Sequence, residues 1–403
     1  MIHNNITILN NDEVLLRHSR IKALMRSKGI DFALITDNAT LYYLTGRVFA
    51  GYIGIYADDN IDTQYFVRRP IGLSGNGISY IRKPEDIPAI LSSTAFSTFG
   101  LELDIQPYSA CTRLANLFPD AKILNISSVI RQARSVKTVD EQEKLIFNGK
   151  RHTHVYGQIP SLFHQGMTDI EFQIEIERLS RTEGCLGQFR ICGNSMELFM
   201  ANILAGDNAD NPTPYDFAMG GEGSDYSLPV GANGTILRPG TTVMVDCNGN
   251  YSGYMTDMTR VFAIGEISDI ALAAHRCSID ICHTLEKIAK PGVEAKALYE
   301  KAIQIANNAG LGDYFMGHCQ KAGFIGHGVG IEINEAPVLA PRSRDILEVG
   351  NVIAIEPKFV IPGTGAVGIE NTYIVKENGL LCLTLAPEEI IYEETVEEEE
   401  VEY

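Results

Sequence analysis

The chain has 403 residues, 45% of them hydrophobic and 21% charged, enough for two or three domains around a sizeable core. Its net charge of −18 argues against nucleic acid or anionic lipid as the main partner, because phosphate repels such a surface. No run approaches the ~18 apolar residues of a membrane span. The polar opening MIHNNITILNND predicts no secretory signal, and eight cysteines without C-x-x-C spacing read as reduced core thiols, which points to the cytoplasm.

In chain order, residues 21–29 read as the end of an amphipathic helix stopped by Gly29, and the strand DFALIT follows. The short apolar runs LYYLTG, AGYIGIYA, TQYFV and STFGLEL come next, alternating with helical stretches such as PEDIPAILSS. This is an α/β domain over 1–136. A capping box at Thr138 and Glu141 opens the second domain, 137–403, and a second box at Thr168 and Glu171 opens a helix ending before Gly184. Two further helices are expected at 269–289, stopped by Pro291-Gly292, and at about 294–309, stopped by Gly310. Strands with turn signals surround them, so this domain is α+β. The glutamate-dense segment 388–402 reads as a solvated acidic tail or an exposed strand end.

Two hairpins carry paired carboxylates. In TTVMVDCNGNYSGYMTDMTRVFAIGE, a hairpin symmetric about the Tyr251–Ser252 bond places Asp246 opposite Asp257. In NVIAIEPKFVIPGTGAVGIENTYIV, a loop centred on Gly363 places Glu356 opposite Glu370. Like charges so placed are destabilising. A divalent cation between each pair removes the repulsion, and two such ions cancel four negative charges. His327, in GFIGHGVGIEINEAP, lies between the hairpins in sequence and makes a natural fifth ligand through a neutral ring nitrogen. Its flanking glycines let the backbone bend close to a ligand. An oxygen-rich set with one imidazole suits manganese, with cobalt, iron or zinc as alternatives.

VDCNGNYSGYMTDMTR, GHGVGIEINEAP, AIEPKFVIPGTG and GIENTYIV together resemble the four signature blocks of the creatinase/methionyl aminopeptidase/prolidase (pita-bread) metallopeptidases. DFALITDNATLYYLTG resembles their creatinase-type N-terminal domain, and RSVKTVDEQEKL their domain junction. The likeness covers nearly the whole chain and is closer to Xaa-Pro dipeptidases and aminopeptidase P than to methionyl aminopeptidases. It implies an α/β N-terminal domain, a pita-bread catalytic domain and, as partners, short Xaa-Pro peptides and a second copy of the chain in a homodimer. It also implies a bridging hydroxide between two divalent metals. Asp246 would chelate one metal, Asp257 and Glu370 would bridge both, and His327 and Glu356 would bind the second. Glu356 would also relay a proton to the leaving nitrogen.

Three positions depart from the family pattern. Asn334 stands seven residues after His327, where the family has a histidine; Val230 fills the position of a second histidine; Gly368 replaces an arginine two residues before Glu370. Asn334 keeps an amide that can serve catalysis and substrate binding, whereas Val230 and Gly368 alter the substrate contacts. These changes leave open a different reaction on the same frame, either C–N hydrolysis or elimination on a small metabolite, or metal binding without turnover. His152 and His154, in NGKRHTH, read as a solvated helix face, and His275, Cys277, Cys282 and His283 as core positions of one helix.

Overall fold

The computed structural model describes residues 7–393 except 10, 94, 194, 195 and 218, so the acidic run beyond 393 lies outside the described residues. Two compact units divide between Arg134 and Ser135, two residues before the sequence-predicted junction. No described helix is long and apolar enough to cross a membrane.

The first unit contains α1 (Asp12–Ser27), β1 (Phe32–Ile35), α2 (Asn38–Thr45), β2 (Ala50–Tyr56), β3 (Gln64–Arg69), β4 (Ile78–Tyr80), β5 (Thr98–Leu101), α3 (Tyr108–Ala115), β6 (Lys122–Asn125) and α4 (Ser127–Ser135). Its six strands form one mixed sheet in the order β4-β3-β2-β1-β5-β6. Stacked rings of Phe32, Phe96, Phe99 and Phe118 fill one face. The run LYYLT is a helix rather than a strand. The Asp37 carboxylate caps it by accepting from the Thr40 N–H at 3.0 Å, and Gly46 ends it in the left-handed conformation. PEDIPAILSS forms only a short 3-10 turn over Pro84–Ala89, because Pro88 supplies no N–H for an α-helical ladder.

The second unit contains α5 (Val139–Tyr156), α6 (Asp169–Thr182), β7 (Ala201–Ala205), β8 (Thr241–Asn250), β9 (Met255–Ile264), α7 (Asp269–Ile288), α8 (Ala295–Asn308), β10 (Gly326–Gly328), β11 (Val352–Ile355), β12 (Lys358–Ile361), β13 (Gly365–Gly368), β14 (Asn371–Lys376), β15 (Gly379–Cys382) and β16 (Ile391–Glu393). Both capping boxes form, at Thr138–Glu141 and Thr168–Glu171. The strands make sheets in the orders β16-β9-β8-β7 and β10-β11-β14-β15, and β12 pairs with β13. Helix α7 lays Ala271, Ala274, Ile281 and Leu285 against the second hairpin and α8, a stripe at helical spacing. Helices α5 and α6 cover β7, β8 and β9 through Tyr156, Phe172 and Ile176.

His152 is not solvated. It lies on the buried stripe of α5 with Leu145, Asn148 and Tyr156, and its Nδ1 is 3.0 Å from Thr256 Oγ1. Burial pushes its pKa down to about 3, so it is neutral. His154 is exposed. On α7, His275, Cys277 and Cys282 are buried as expected, whereas His283 is half-exposed and pairs with Glu388 at 2.8 Å.

Glu102 follows β5 and is fully buried. Its Oε2 accepts the N–H groups of Thr36 and Asp37 at 2.8 and 3.0 Å, while Oε1 has no hydrogen-bond partner among the described residues. Burial outweighs those donors and raises its pKa from 4.5 to about 7. The folded protein therefore keeps a proton that the unfolded chain releases near pH 4.5. This contribution to stability is complete below pH 4.5 and is lost as pH rises to about 7, roughly 3 kcal/mol in all. Glu102→Gln removes the dependence. Urea midpoints at pH 4.5 and 7.5 should show the wild type losing stability relative to that variant, and a constant difference between them would contradict the assignment.

Candidate metal centre

The first hairpin pairs Asp246 with Thr259 and Asn248 with Asp257, two residues away from the register expected from its sequence. Strand β8 continues to Asn250, opposite Met255, so the turn is Tyr251–Tyr254 and the hairpin is centred on the Ser252–Gly253 bond. Gly253 makes this turn possible with φ +85°, and its N–H donates to Asn250 Oδ1 at 2.9 Å. An even shift preserves the face, so both aspartates still point into one site. In the second hairpin, Ile355 pairs with Asn371 and Lys358 with Gly368; this register brackets Glu356 and Glu370 as opposed residues.

The hairpins meet where β9 bridges Glu370. The Thr259 and Glu370 N–H groups exchange bonds with each other's carbonyls at 3.4 and 3.2 Å. Thr259 Oγ1 also donates to Glu370 Oε2 at 2.8 Å. The Asp257 N–H donates to Thr372 Oγ1 at 2.8 Å. Arg260, fully buried, donates to the carbonyls of Glu370 and Pro387 at 2.9 and 2.7 Å and to Asn371 Oδ1 at 2.8 Å.

His327 enters from β10, where it pairs with Ala354 on β11. Its flanking glycines serve strand packing. A Cβ at Gly326 would lie 2.3 Å from the Ala354 carbonyl oxygen, and one at Gly328 would lie 2.2 Å from that of Ala336. Nδ1 donates to the Gly328 carbonyl at 3.2 Å, a bond that turns Nε2 toward the carboxylates. Nε2 is 3.3 Å from Glu356 Oε1 and 3.8 Å from Asp257 Oδ2.

All five sequence-predicted ligands thus converge, but they form two unequal cation places. Asp257, His327 and Glu370 each offer a ligand atom within 4.8 Å of the others, and the buried Glu370 Oε1 has no hydrogen-bond partner among the described residues. An orphaned carboxylate oxygen beside an imidazole nitrogen fits a divalent ion. Asp246, Glu356 and Glu370 form the second place. Into it Lys358 projects its Nζ, 2.8 Å from Asp246 Oδ2, 2.8 Å from Glu356 Oε2 and 3.2 Å from Glu370 Oε2. The residues present therefore fit one metal ion and not two. Lys358 was missed in the sequence, although its position two residues after Glu356 was a period-2 signal that both side chains share a face.

The charges polarise one another. Burial and the neighbouring Glu370 charge raise Asp257 well above the usual carboxylate range. Burial and Glu356 bring Glu370 to about 8. Burial opposes ionisation of Glu356 too, but Lys358 and His327 hold it down at about 2. Burial disfavours the charged forms of His327 and Lys358. The Glu356 hydrogen bond and charge nevertheless raise His327 to about 9, and the charges of Asp246, Glu356 and Glu370 keep Lys358 protonated.

A cavity of about 310 Å³ opens over this floor. Its walls include Phe189, Met196, Phe199, Phe217, Phe324 and Ile333; Asp216 also lines it, and no described lining residue is lysine or arginine. Asn334 reaches the wall, but its amide is committed: Nδ2 donates to the Cys192 carbonyl at 2.6 Å and Oδ1 accepts the Cys192 N–H at 2.8 Å. These bonds fix the loop and leave the second N–H of Nδ2 for a further partner. Val230 is buried away from the cavity wall, and Gly368 lies in the ladder opposite Lys358. Asp207, Asn208 and Asp210 also lie off the wall; Asp210 instead binds His318 and Cys319.

Paired carboxylate hairpins beneath long helices define a pita-bread catalytic domain, and the mixed-sheet unit before it is a creatinase-type N-terminal domain. Residues 145–377 match metallopeptidase family M24, and residues 17–136 match the creatinase/prolidase N-terminal domain. The chain belongs to metallopeptidase family M24. It is 27% identical over 389 residues to the uncharacterized peptidase YqhT of Bacillus subtilis, covering 93% of this chain and 99% of that one. It is 26% identical over 387 residues to the Xaa-Pro dipeptidase of Pyrococcus furiosus, with 93% and 99% covered. The solved Xaa-Pro dipeptidase from Bacillus anthracis superposes with a TM-score of 0.78 at 23% identity, over 94% of this chain and 99% of that one, a likeness of fold.

Replacing Lys358 by methionine would leave two buried carboxylates, Glu356 and Glu370, and the partly exposed Asp246 without their cation. Chelator-treated Lys358→Met protein should lose about 3–5 kcal/mol in urea unfolding. A loss below about 1 kcal/mol would show that the ammonium does not hold these groups together.

Proposed function

We propose that the chain hydrolyses the Xaa-Pro bond of short peptides, taking them by the N-terminal amine, with one divalent ion held by Asp257, His327 and Glu370. The carrying observation is the cavity: apolar walls that end on an acidic floor, with no lysine or arginine among the described lining residues. An α-ammonium group finds Asp216 and Asp246 there. A free C-terminal carboxylate finds no lysine or arginine on the walls, and burying it without a partner is costly. The cavity therefore favours peptides whose C-terminus is amidated or extends beyond it. The Xaa-Pro preference draws support from relatives named as Xaa-Pro dipeptidases.

A bound divalent ion would supply a polarised carbonyl and an acidified water. Glu356 Oε1, beside His327 Nε2, is placed to accept a proton and pass it to the leaving nitrogen. Manganese suits the oxygen-rich ligand set. Eight cysteines scattered without regular spacing support a reducing compartment such as the cytoplasm, and the homodimer expected of the family is retained. Lys358 favours a second reading, C–N bond cleavage or elimination on a small apolar amine, because the two-metal hydroxide lacks its second ion place.

A panel of Xaa-Pro dipeptides, Xaa-Pro amides and Xaa-Pro-Yaa tripeptides, assayed with manganese-loaded protein, tests this. Release of the N-terminal residue is expected, with kcat/KM at least about tenfold higher for amides and tripeptides than for free dipeptides. No release from any member would sink the peptidase reading. Cleavage confined to small amines would select the second.

A further inference from the structure

We propose that Lys358 is a built-in cation that permanently takes the place of a second metal, so that the centre accepts a single divalent ion. This deepens the one-ion reading above and rests on it.

Three observations converge. The first is contact. Nζ lies 2.8, 2.8 and 3.2 Å from one oxygen each of Asp246, Glu356 and Glu370, and an ammonium has three N–H donors for these three acceptors. The second is confinement. The Lys358 side chain is 0% exposed. Its ladder partner is Gly368, so the pair presents only one side chain to the shared face. An exposed lysine could swing aside into water; a buried one would have to carry its charge through the core. The third is the division of the carboxylate oxygens. Glu370 gives Oε2 to Lys358 and Thr259, while Oε1 is unpartnered. Glu356 gives Oε2 to Lys358 and Oε1 to His327. One oxygen of each carboxylate at the second place is therefore already used, whereas Oε1 of Glu370, which also belongs to the remaining place, is not.

An ammonium and a divalent ion cannot share three carboxylates, because their mutual repulsion adds to the loss of every hydrogen bond. Asp246 is accordingly an ammonium partner in this chain, not a metal ligand. Unlike a metal, the ammonium has no open coordination position. It fixes the charge of the floor without binding substrate or water as a Lewis acid.

The test is ion stoichiometry, which needs no substrate. Full-length protein is stripped with chelator, reloaded by dialysis against manganese or cobalt, and counted by plasma mass spectrometry. Wild type should hold one ion per chain, Asp246→Asn should also hold one, and Lys358→Ala should hold two. Two ions in the wild type would overturn the proposal while leaving the peptidase reading intact. An ion lost in Asp246→Asn would overturn it equally, and that arm decides should Lys358→Ala fail to fold. A folded Lys358→Ala chain that still holds one ion also counts against it. No uptake by the wild type would overturn both this proposal and the metal-dependent function.

Discussion

Four carboxylates share one buried site, and every other feature of the catalytic unit has to accommodate their repulsion. At 4 Å each like pair costs about 4 kcal/mol at the effective dielectric of a partly buried site. Two things offset this cost: the ammonium of Lys358 and the ring of His327, each donating to or facing two or more of the acids. The result is asymmetric. Glu356, touching both Lys358 and His327, is held ionised, whereas burial and the neighbouring carboxylates push Asp257 and Glu370 toward their protonated forms. A divalent ion arriving at Asp257 and Glu370 meets the carboxylates that gain most from it.

The backbone makes this crowding possible. Thr259 and Glu370 bridge the two hairpins through paired main-chain bonds, and Arg260 secures the junction from the opposite side of the strand with its whole guanidinium committed to carbonyl and amide oxygens. Such a bridge sets the carboxylates in place without asking the side chains to attract one another. Close strand approach at Gly326 and Gly328 does the same for His327. The site is therefore held by hydrogen bonds formed outside it, which is how a functional cluster can stay electrostatically unfavourable until a cation binds.

Much of this was legible in the sequence, because the signals were local. Thr138–Glu141 and Thr168–Glu171 announce their helices through reciprocal side-chain-to-backbone bonds that need no tertiary partner. The second hairpin's register followed from a tight loop at Gly363. The first hairpin slipped by two because NGNYSG looked like turn throughout, whereas Asn248 and Asn250 are buried strand residues. His152 misled for the converse reason: the basic run before it suggested water, but the stripe through Leu145, Asn148 and Tyr156 was the stronger periodicity. The Asn334 amide was expected to serve the site, and its bonds to Cys192 join residues remote in sequence, so no local pattern could reveal the clamp.

Lys358 is the instructive omission. A lysine near a Pro-Gly turn ordinarily reads as a solvated strand residue, and one that is fully buried requires compensating charge. That compensation comes from Asp246 and Glu370, far away along the chain, as well as from Glu356 two residues before it. Counting carboxylates alone gives four negative charges and a demand for two divalent ions. Counting Lys358 with them gives a net of three, and a single divalent ion reduces that to one. A centre left with residual negative charge attracts a cationic group such as a substrate amine, in keeping with a cavity whose walls carry no lysine or arginine among the described residues. On the proposed reading the lysine links the metal count to the substrate's charge: one divalent ion beside Lys358 leaves the floor acidic enough to attract an N-terminal amine.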